Sequence, residues 1–412
     1  MSPEKRSVDP DTASVTGGHN AMDHRGSLKP PIYETSTFVF DTAEEGKRFF
    51  ELVFGLDDPK EGETPGYIYS RLDSPNVRVA EARLAAWEGS EDALVFNSGM
   101  AAISTVLLTL LRPGDVILHS SPIYGGTEKL LRSLFVELGV RVVPFGPEVG
   151  ENDLRRAAEH DEATLILVET PANPTNDLFD IEVASRVAEA VGATLVVDNT
   201  FLSPVWQRPL DHGADLVVHS ATKYLGGHSD LTAGAVCGSK EGLREIRHNR
   251  YRLGTTASPS TAWLLGRSLE TLRLRVEKQT DNATRLASFL SDHDKVSAVR
   301  HLSLLSPDDP GFDIYKRQCL GPGAMISLEV VGGEEGAFRF LNHLEQVKLA
   351  VSLGGTESLA SHPWTMSHST MSEDVKREIG VTPGLIRLSV GIESAEDLIV
   401  DLSRALDSIE AR

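Results

Sequence analysis

The stretch that decides the fold runs from Thr164 to Lys223. It opens on the wholly apolar run Thr164-Leu-Ile-Leu-Val168, then crosses Glu169-Thr-Pro-Ala-Asn-Pro174 to a segment of helical pattern, Ile181 to Val191. A second apolar run follows, Thr194-Leu-Val-Val-Asp198, and then a third, Leu216-Val-Val-His219, which leads at once into Ser220-Ala-Thr-Lys223. Short β-branched runs that are apolar on both faces and alternate with helices describe a parallel sheet covered on both sides. A sheet with one wet face would alternate polar and apolar residues instead.

The same texture extends in both directions. Upstream, Val77 to Trp87 reads as a helix, Ala93 to Phe96 as a strand and Ala101 to Leu111 as a buried helix. Strands follow at Val116–Leu118 and Arg141–Pro144, with a helix over Gly126–Leu138 between them. Downstream, Gly234–Cys237 completes the series. Past Ala257 a long amphipathic stretch, Ser260 to Asp292, carries no strand signal. It precedes strands near 325–331 and 385–390 and helices at 334–343 and 395–409. The expected architecture is an α/β domain with a mainly parallel central sheet over residues 67–259, and a smaller C-terminal α+β domain over 260–412. Residues 1–66 are poor in periodic pattern and rich in Gly, Pro and charge. They read as a frayed terminus or as an arm and loop that dock on a neighbouring subunit.

Composition narrows the function. The chain has 412 residues, 40 basic and 60 acidic, for a formal charge of −20. Its arginines are scattered, so it should repel nucleic acid and anionic lipid. Two cysteines, Cys237 and Cys319, make neither a disulfide framework nor a CxxC site, which favours a reducing, cytoplasmic setting. The first thirty residues show no secretory h-region. The uncharged stretch 93–111 is nearly long enough for a membrane helix, but Asn97-Ser98-Gly99 breaks it into strand, turn and buried helix. No membrane span is expected. His362 and His368 lack the acidic or cysteine company of a metal site, and Cys237 reads as a core residue.

The chemistry sits at strand ends. Lys223, one of only twelve lysines, lies just past the His219 strand among hydroxyls. Alone, a loop lysine is the commoner reading than a nucleophilic one. Asp198 ends a very apolar strand and either points into the ligand crevice of such sheets or merely caps a turn. Asn97-Ser98-Gly99-Met100 opens a helix whose first N–H groups suit an anion, and it is neither a Walker loop nor a GxGxxG motif. Together, an anion cradle, a carboxylate and an amine are what pyridoxal 5'-phosphate requires for its phosphate, its ring nitrogen and its aldehyde.

At this point a family resemblance appears. Tyr69-Ser-Arg71, Ser98-Gly-Met100, Pro122-Ile-Tyr-Gly-Gly126, Glu169-Thr-Pro-Ala-Asn-Pro174, Asp198-Asn-Thr200, His219-Ser-Ala-Thr-Lys-Tyr224 and Ser352-Leu-Gly-Gly355 resemble the Cys/Met-metabolism family of pyridoxal-phosphate enzymes. That family includes cystathionine γ-synthases, cystathionine γ-lyases and methionine γ-lyases. The resemblance runs from about residue 28 to the C-terminus. It implies the aspartate-aminotransferase-like fold (type I), and a homotetramer of two tight dimers with shared active sites. By position, it implies that Lys223 links the cofactor and shuttles protons, and that Asp198 partners the pyridinium nitrogen. Tyr124 would stack on the ring and assist the leaving group. Gly99, Met100, Ser220 and Thr222 would cradle the phosphate, which Tyr69 and Arg71 of the neighbouring subunit also reach. Arg387 would hold the substrate α-carboxylate, with Ser352 and Asn173 close to cofactor and substrate.

The resemblance also bears on the reaction. Val351 stands where many cystathionine-handling members carry glutamate, and Gly126 where many methionine γ-lyases carry cysteine. Trp364 replaces a small residue, which predicts a reshaped distal pocket, and the acidic insertion 54–66 is longer than usual. The expectation is γ-elimination on methionine or another small γ-substituted amino acid. Cystathionine γ-lyase or γ-synthase activity is the alternative within the family. Outside it stand an aminotransferase on the same fold and a scaffold that binds no cofactor.

Overall fold

The computed structural model describes residues 8–58, 60, 63 and 66–409. Among these residues the strands form two sheets. The larger contains β1 (Asp92–Phe96), β2 (Val116–Ser120), β3 (Arg141–Phe145), β4 (Leu165–Glu169), β5 (Thr194–Asp198), β6 (Leu216–His219) and β7 (Gly234–Gly238). Their spatial order is β1-β7-β6-β5-β4-β2-β3. Every pairing from β6 across to β3 is parallel.

The strands are apolar on both faces because helices cover both. Ile117, Leu165, Leu167 and Val196 pack with Ile103, Val106 and Leu107 of helix Gly99–Leu110. Their neighbours Leu118, Ile166, Val168, Leu195 and Val197 pack with Ile181, Ala184 and Val187 of helix Ile181–Val191. Strand β7 departs from the expected parallel run, since it lies antiparallel to both β1 and β6. The fourteen residues between β6 and β7 form the turns that carry Lys223 and contain no helix. Without a crossover helix the chain returns beside β6 in the opposite sense.

The smaller sheet contains β8 (Val296–Arg300), β9 (Met325–Val330), β10 (Lys348–Leu349), β11 (Leu359–Ser361) and β12 (Leu385–Ser389), in the order β10-β11-β12-β9-β8. Helices Leu272–Ser291, Gly333–His343 and Ala395–Asp407 back it. One apolar cluster runs from Leu84 and Trp87 through Leu265 and Leu286 to Ile326, Phe340 and Leu402. The two sheets therefore share a core.

Several elements differ from expectation. Ser260–Asp292 is two helices, Pro259–Leu269 and Leu272–Ser291, rather than one. The expected helix at 126–138 carries a π-helical turn at Leu131–Phe135. Residues 43–53, inside the supposed arm, form a helix capped by the Thr42 hydroxyl, which accepts from Glu45 N. Glu151–Asp161 and Lys240–Leu253 are helices with no strong apolar stripe in sequence. The second of these buries Arg250 against Glu81, with Nη1 donating to Oε1 at 2.5 Å. No helix among the described residues is long and apolar enough to cross a membrane.

Candidate active site

Three strand ends and one strand of the smaller sheet meet at a cavity of about 440 Å³. It is lined by Ser98, Gly99, Met100, Tyr124, Glu169, Asn173, Asp198, Ser220, Thr222, Lys223, Val351, Ser352 and Arg387, among others. All the cofactor and substrate residues expected from sequence are brought together here except Tyr69 and Arg71.

The anion cradle follows from helix geometry. Ser98 caps helix Gly99–Leu110 by accepting from Ala101 N, so the first-turn N–H groups stay aimed at the cavity. Gly99 is required by close approach, since a Cβ there would sit 2.8 Å from Ser220 Cβ. Thr222 lines the same wall, although its hydroxyl already donates to Ala233 O at 3.1 Å.

Asp198 is half-buried beside Val218 in the parallel register, and desolvation pushes its carboxyl above the usual range. Thr200 opposes that shift: its N–H (3.0 Å) and its hydroxyl both donate to Oδ1. Oδ2 keeps its lone pairs for a donor in the cavity. Lys223 lies across from it, with Nζ donating to Ser352 Oγ at 2.7 Å. Burial first, and then the Arg387 guanidinium, push the Lys223 amine down to about 8, so a neutral, nucleophilic fraction exists near neutral pH.

The far wall comes from the smaller sheet. Arg387, in the middle of β12, is buried. Its Nη1 donates to Asn173 Oδ1 (2.9 Å) and its Nη2 to Ser352 O (3.0 Å). Its Nε is sealed from solvent without a partner, and the second hydrogens of Nη1 and Nη2 remain for a substrate carboxylate. Burial lowers this guanidinium to about 10. Ser352 touches both Lys223 and Arg387 from a left-handed backbone conformation, φ 93°, which is strained for a residue with a Cβ. Val351, beside it, is 65% exposed at the mouth.

Tyr124 precedes helix Gly125–Leu130 without capping it through its side chain, and its ring folds over Gly126, where a Cβ would lie 2.5 Å from Tyr124 Cε1. The site residue that sequence reasoning missed is Glu169. Its carboxylate accepts Tyr124 N–H (2.9 Å) and Asn173 N–H (2.8 Å), and burial followed by neighbouring Asp198 pushes it up to about 8. The available signal was a carboxylate ending a wholly apolar strand next to Asp198. Ser361 and Ser367 also line the cavity, and nothing in the sequence marked them.

Two expectations are corrected or displaced. Trp364 does not shape the cavity. It is buried with Val381 and Leu385 and covered by Lys376 (4.6 Å to the ring centroid) and Arg377 (5.2 Å). Tyr69 and Arg71 lie away from this cavity in their own chain. They line a separate depression with Phe50, Phe54 and Tyr251, and Arg71 Nη1 donates to Tyr251 O at 2.6 Å. His362 holds Thr365 Oγ1 and Pro383 O, and buried His368 holds Ser367 Oγ. No group of three metal-ligating side chains occurs among the described residues. In the insertion 54–66, residues 59, 61, 62, 64 and 65 lie outside the described residues; Arg48 holds Asp57 and Glu63.

An amine, a carboxylate and an anion cradle at strand ends of one sheet, faced by a buried arginine, define a pyridoxal-phosphate enzyme of the aspartate-aminotransferase-like fold. Comparison with known proteins agrees. The family model described as "Cys/Met metabolism PLP-dependent enzyme" matches residues 11–407, and the chain belongs to that family. It is 41% identical to L-methionine gamma-lyase of Pseudomonas putida over 397 residues, covering 96% of each chain. It is 37% identical to cystathionine gamma-lyase of Bacillus subtilis (strain 168), covering 97% of this chain and 99% of that one. A crystal structure of cystathionine gamma synthase from Xanthomonas oryzae pv. oryzae superposes with a TM-score of 0.89 at 36% identity, covering 98% of this chain and 99% of that one.

Proposed function

We propose that the chain catalyses γ-elimination on an L-amino acid with a small uncharged γ-substituent, methionine or a close isostere, giving 2-oxobutyrate, ammonia and the free leaving group. One observation carries this reading. Among the described residues, the acidic and basic side chains lining the cavity are those of Glu169, Asp198, Lys223, Arg387 and His219, and the first four each have a task at the cofactor or α-carboxylate end. Beyond them stand Val351, Ser361 and Ser367, which offer no charge to a distal ammonium such as cystathionine carries.

Pyridoxal phosphate fits the residues present. Gly99 leaves room for backbone approach, Asp198 keeps a free oxygen, and Lys223 is an amine with a lowered proton affinity. When bound, the cofactor supplies the electron sink that makes Cα–H and Cβ–H acidic. The Gly99 and Met100 N–H groups with Ser220 and, once its hydroxyl turns from Ala233 O, Thr222 would bind its phosphate, and Asp198 Oδ2 would keep the proton on its ring nitrogen. Arg387 binds the substrate carboxylate, with Asn173 and Ser352 fixing the guanidinium plane. Lys223 Nζ removes the Cα proton and returns protons along the chain, and the Ser352 hydroxyl guides its swing. Tyr124 assists departure at Cγ.

Tyr69 and Arg71 are proposed to serve the cavity of a neighbouring copy in a homotetramer. Their distance from their own cavity supports this, as do the exposed apolar residues Phe50 and Phe54 that line the same depression. Mixing re-associated Arg71→Ala and Lys223→Ala subunits should then restore part of the activity. No recovery from folded variants would end the sharing idea. A cytoplasmic location is proposed from the two unpaired cysteines.

The deciding experiment offers methionine, cystathionine, homocysteine, and O-succinylhomoserine with cysteine, scoring 2-oxobutyrate and cystathionine separately. Methionine should give 2-oxobutyrate fastest. Cystathionine formed from O-succinylhomoserine faster than any 2-oxobutyrate would make the enzyme a synthase.

A further inference from the structure

Glu169 ends β4 and lies opposite Asp198 of β5 in the parallel register. A buried carboxyl beside a second, half-buried one costs free energy, whether it stays charged or takes up a proton, and either an amide or an apolar residue would remove that cost. Its retention calls for a task that needs acceptors at both ends of the side chain. The hydrogen bonds show such a task. Oε2 accepts Tyr124 N–H, at the start of a helix with no side-chain cap of its own, and Oε1 accepts Asn173 N–H. Asn173 Oδ1 in turn accepts from Arg387 Nη1. Glu169's own N–H is fixed by Ser120 Oγ at 2.9 Å. One side chain therefore ties together the turn that carries the tyrosine and the loop that holds the carboxylate-binding arginine.

We propose that Glu169 is a positioning residue that sets the spacing between the Tyr124 hydroxyl and the Arg387 guanidinium, acting through Tyr124 N–H and Asn173 rather than on the reacting atoms. It rests on the reading that Tyr124 and Arg387 handle the substrate. A carboxyl group, protonated or not, presents an oxygen at each end. Glutamine keeps the shape but presents an NH₂ to one of the two backbone donors, so one loop loses its tether.

The test uses Glu169→Gln, Tyr124→Phe and the double variant, each reconstituted with pyridoxal phosphate. Glu169→Gln should lower kcat/KM by ~10²-fold, the scale of an ångström-sized misplacement. It should also change the visible circular dichroism of the bound cofactor, recorded without substrate. Once the Tyr124 hydroxyl is removed, adding Glu169→Gln should cost less than it does alone, since the spacing it sets then lacks the hydroxyl at one end. Full additivity, or unchanged dichroism, overturns the proposal. If Glu169→Gln does not fold, Glu169→Asp keeps both acceptors at shorter reach and should show the same coupling at smaller size, and additivity there overturns it equally. The dichroism is independent of which amino acid is cleaved, so a wrong substrate assignment and a wrong role for Glu169 give different results.

Discussion

The two walls of the cavity are built in different ways. The wall from β4, β5 and β6 carries Glu169, Asp198 and Lys223 on consecutive parallel strand ends, each within a few residues of a wholly buried run. The opposite wall, from Val351 to Arg387, combines a strained serine, a half-open mouth and a segment held by tryptophan and its two cations. The first wall is positioned by the sheet, so its geometry tolerates little change and suits bond making and breaking. In the second, Arg387 is set by β12 but Val351 and Ser352 lie on a loop, which alters without disturbing either sheet and so suits the choice of substrate.

The largest effect should come from the first wall. Lys223→Ala removes the one amine in the cavity and should cost at least ~10³-fold in kcat, because it holds or moves the proton at both Cα and Cβ. Binding of pyridoxal phosphate by the cradle and Asp198 should persist, measurable by equilibrium dialysis. Normal turnover would remove the distinction between the walls. In the wild-type protein stripped of cofactor, the rate of pyridoxal phosphate capture should rise with pH and level off above about 8, because only the neutral amine attacks and Lys223 sits near that value. A midpoint near the ordinary lysine value would mean that Lys223 is not buried as described.

Legibility from sequence follows the same division. Lys223, Asp198 and Ser98-Gly99 could be read because each ends or follows a short apolar run, so local pattern and tertiary place coincide. Glu169 was visible as a motif residue, yet its role depends on Tyr124 and Asn173 reaching back to it, which no local pattern reports. Trp364 was misplaced because an aromatic residue in a loop does not say which side it faces. Lys376 and Arg377, about a dozen residues on, draw it away from the cavity. Helix Lys240–Leu253 escaped notice since its inward face includes an arginine satisfied by Glu81, a partner far away in sequence.

The next effect tests whether Trp364 is a strut of the second wall or part of its lining. Trp364→Ala removes a buried ring that stacks under two cations and whose backbone carbonyl accepts from Lys376 Nζ at 3.0 Å. The expected loss is ~3 kcal/mol of stability, in the range of buried aromatic truncations, measured by urea unfolding. The ratio of methionine to cystathionine turnover should stay the same at temperatures where the variant is folded. A changed ratio with unchanged stability would return Trp364 to the cavity.

The smallest effect is the most informative about substrate. Val351→Glu places a carboxylate at the mouth, next to the serine that touches both Lys223 and Arg387. Val351 is 65% exposed, so stability should change by no more than ~0.5 kcal/mol. The new charge can pair with a distal ammonium but remains largely hydrated, which limits its contribution to about 1 kcal/mol, or ~5-fold in relative kcat/KM for cystathionine over methionine. The gain should shrink as salt is raised, because an exposed pair is screened. Arg387 and Lys223 lie deeper and already have partners, so the added carboxylate should leave methionine turnover nearly unaltered. A large fall in methionine turnover would mean that the second wall reaches the reacting atoms, and that the separation of chemistry from selection does not hold in this enzyme.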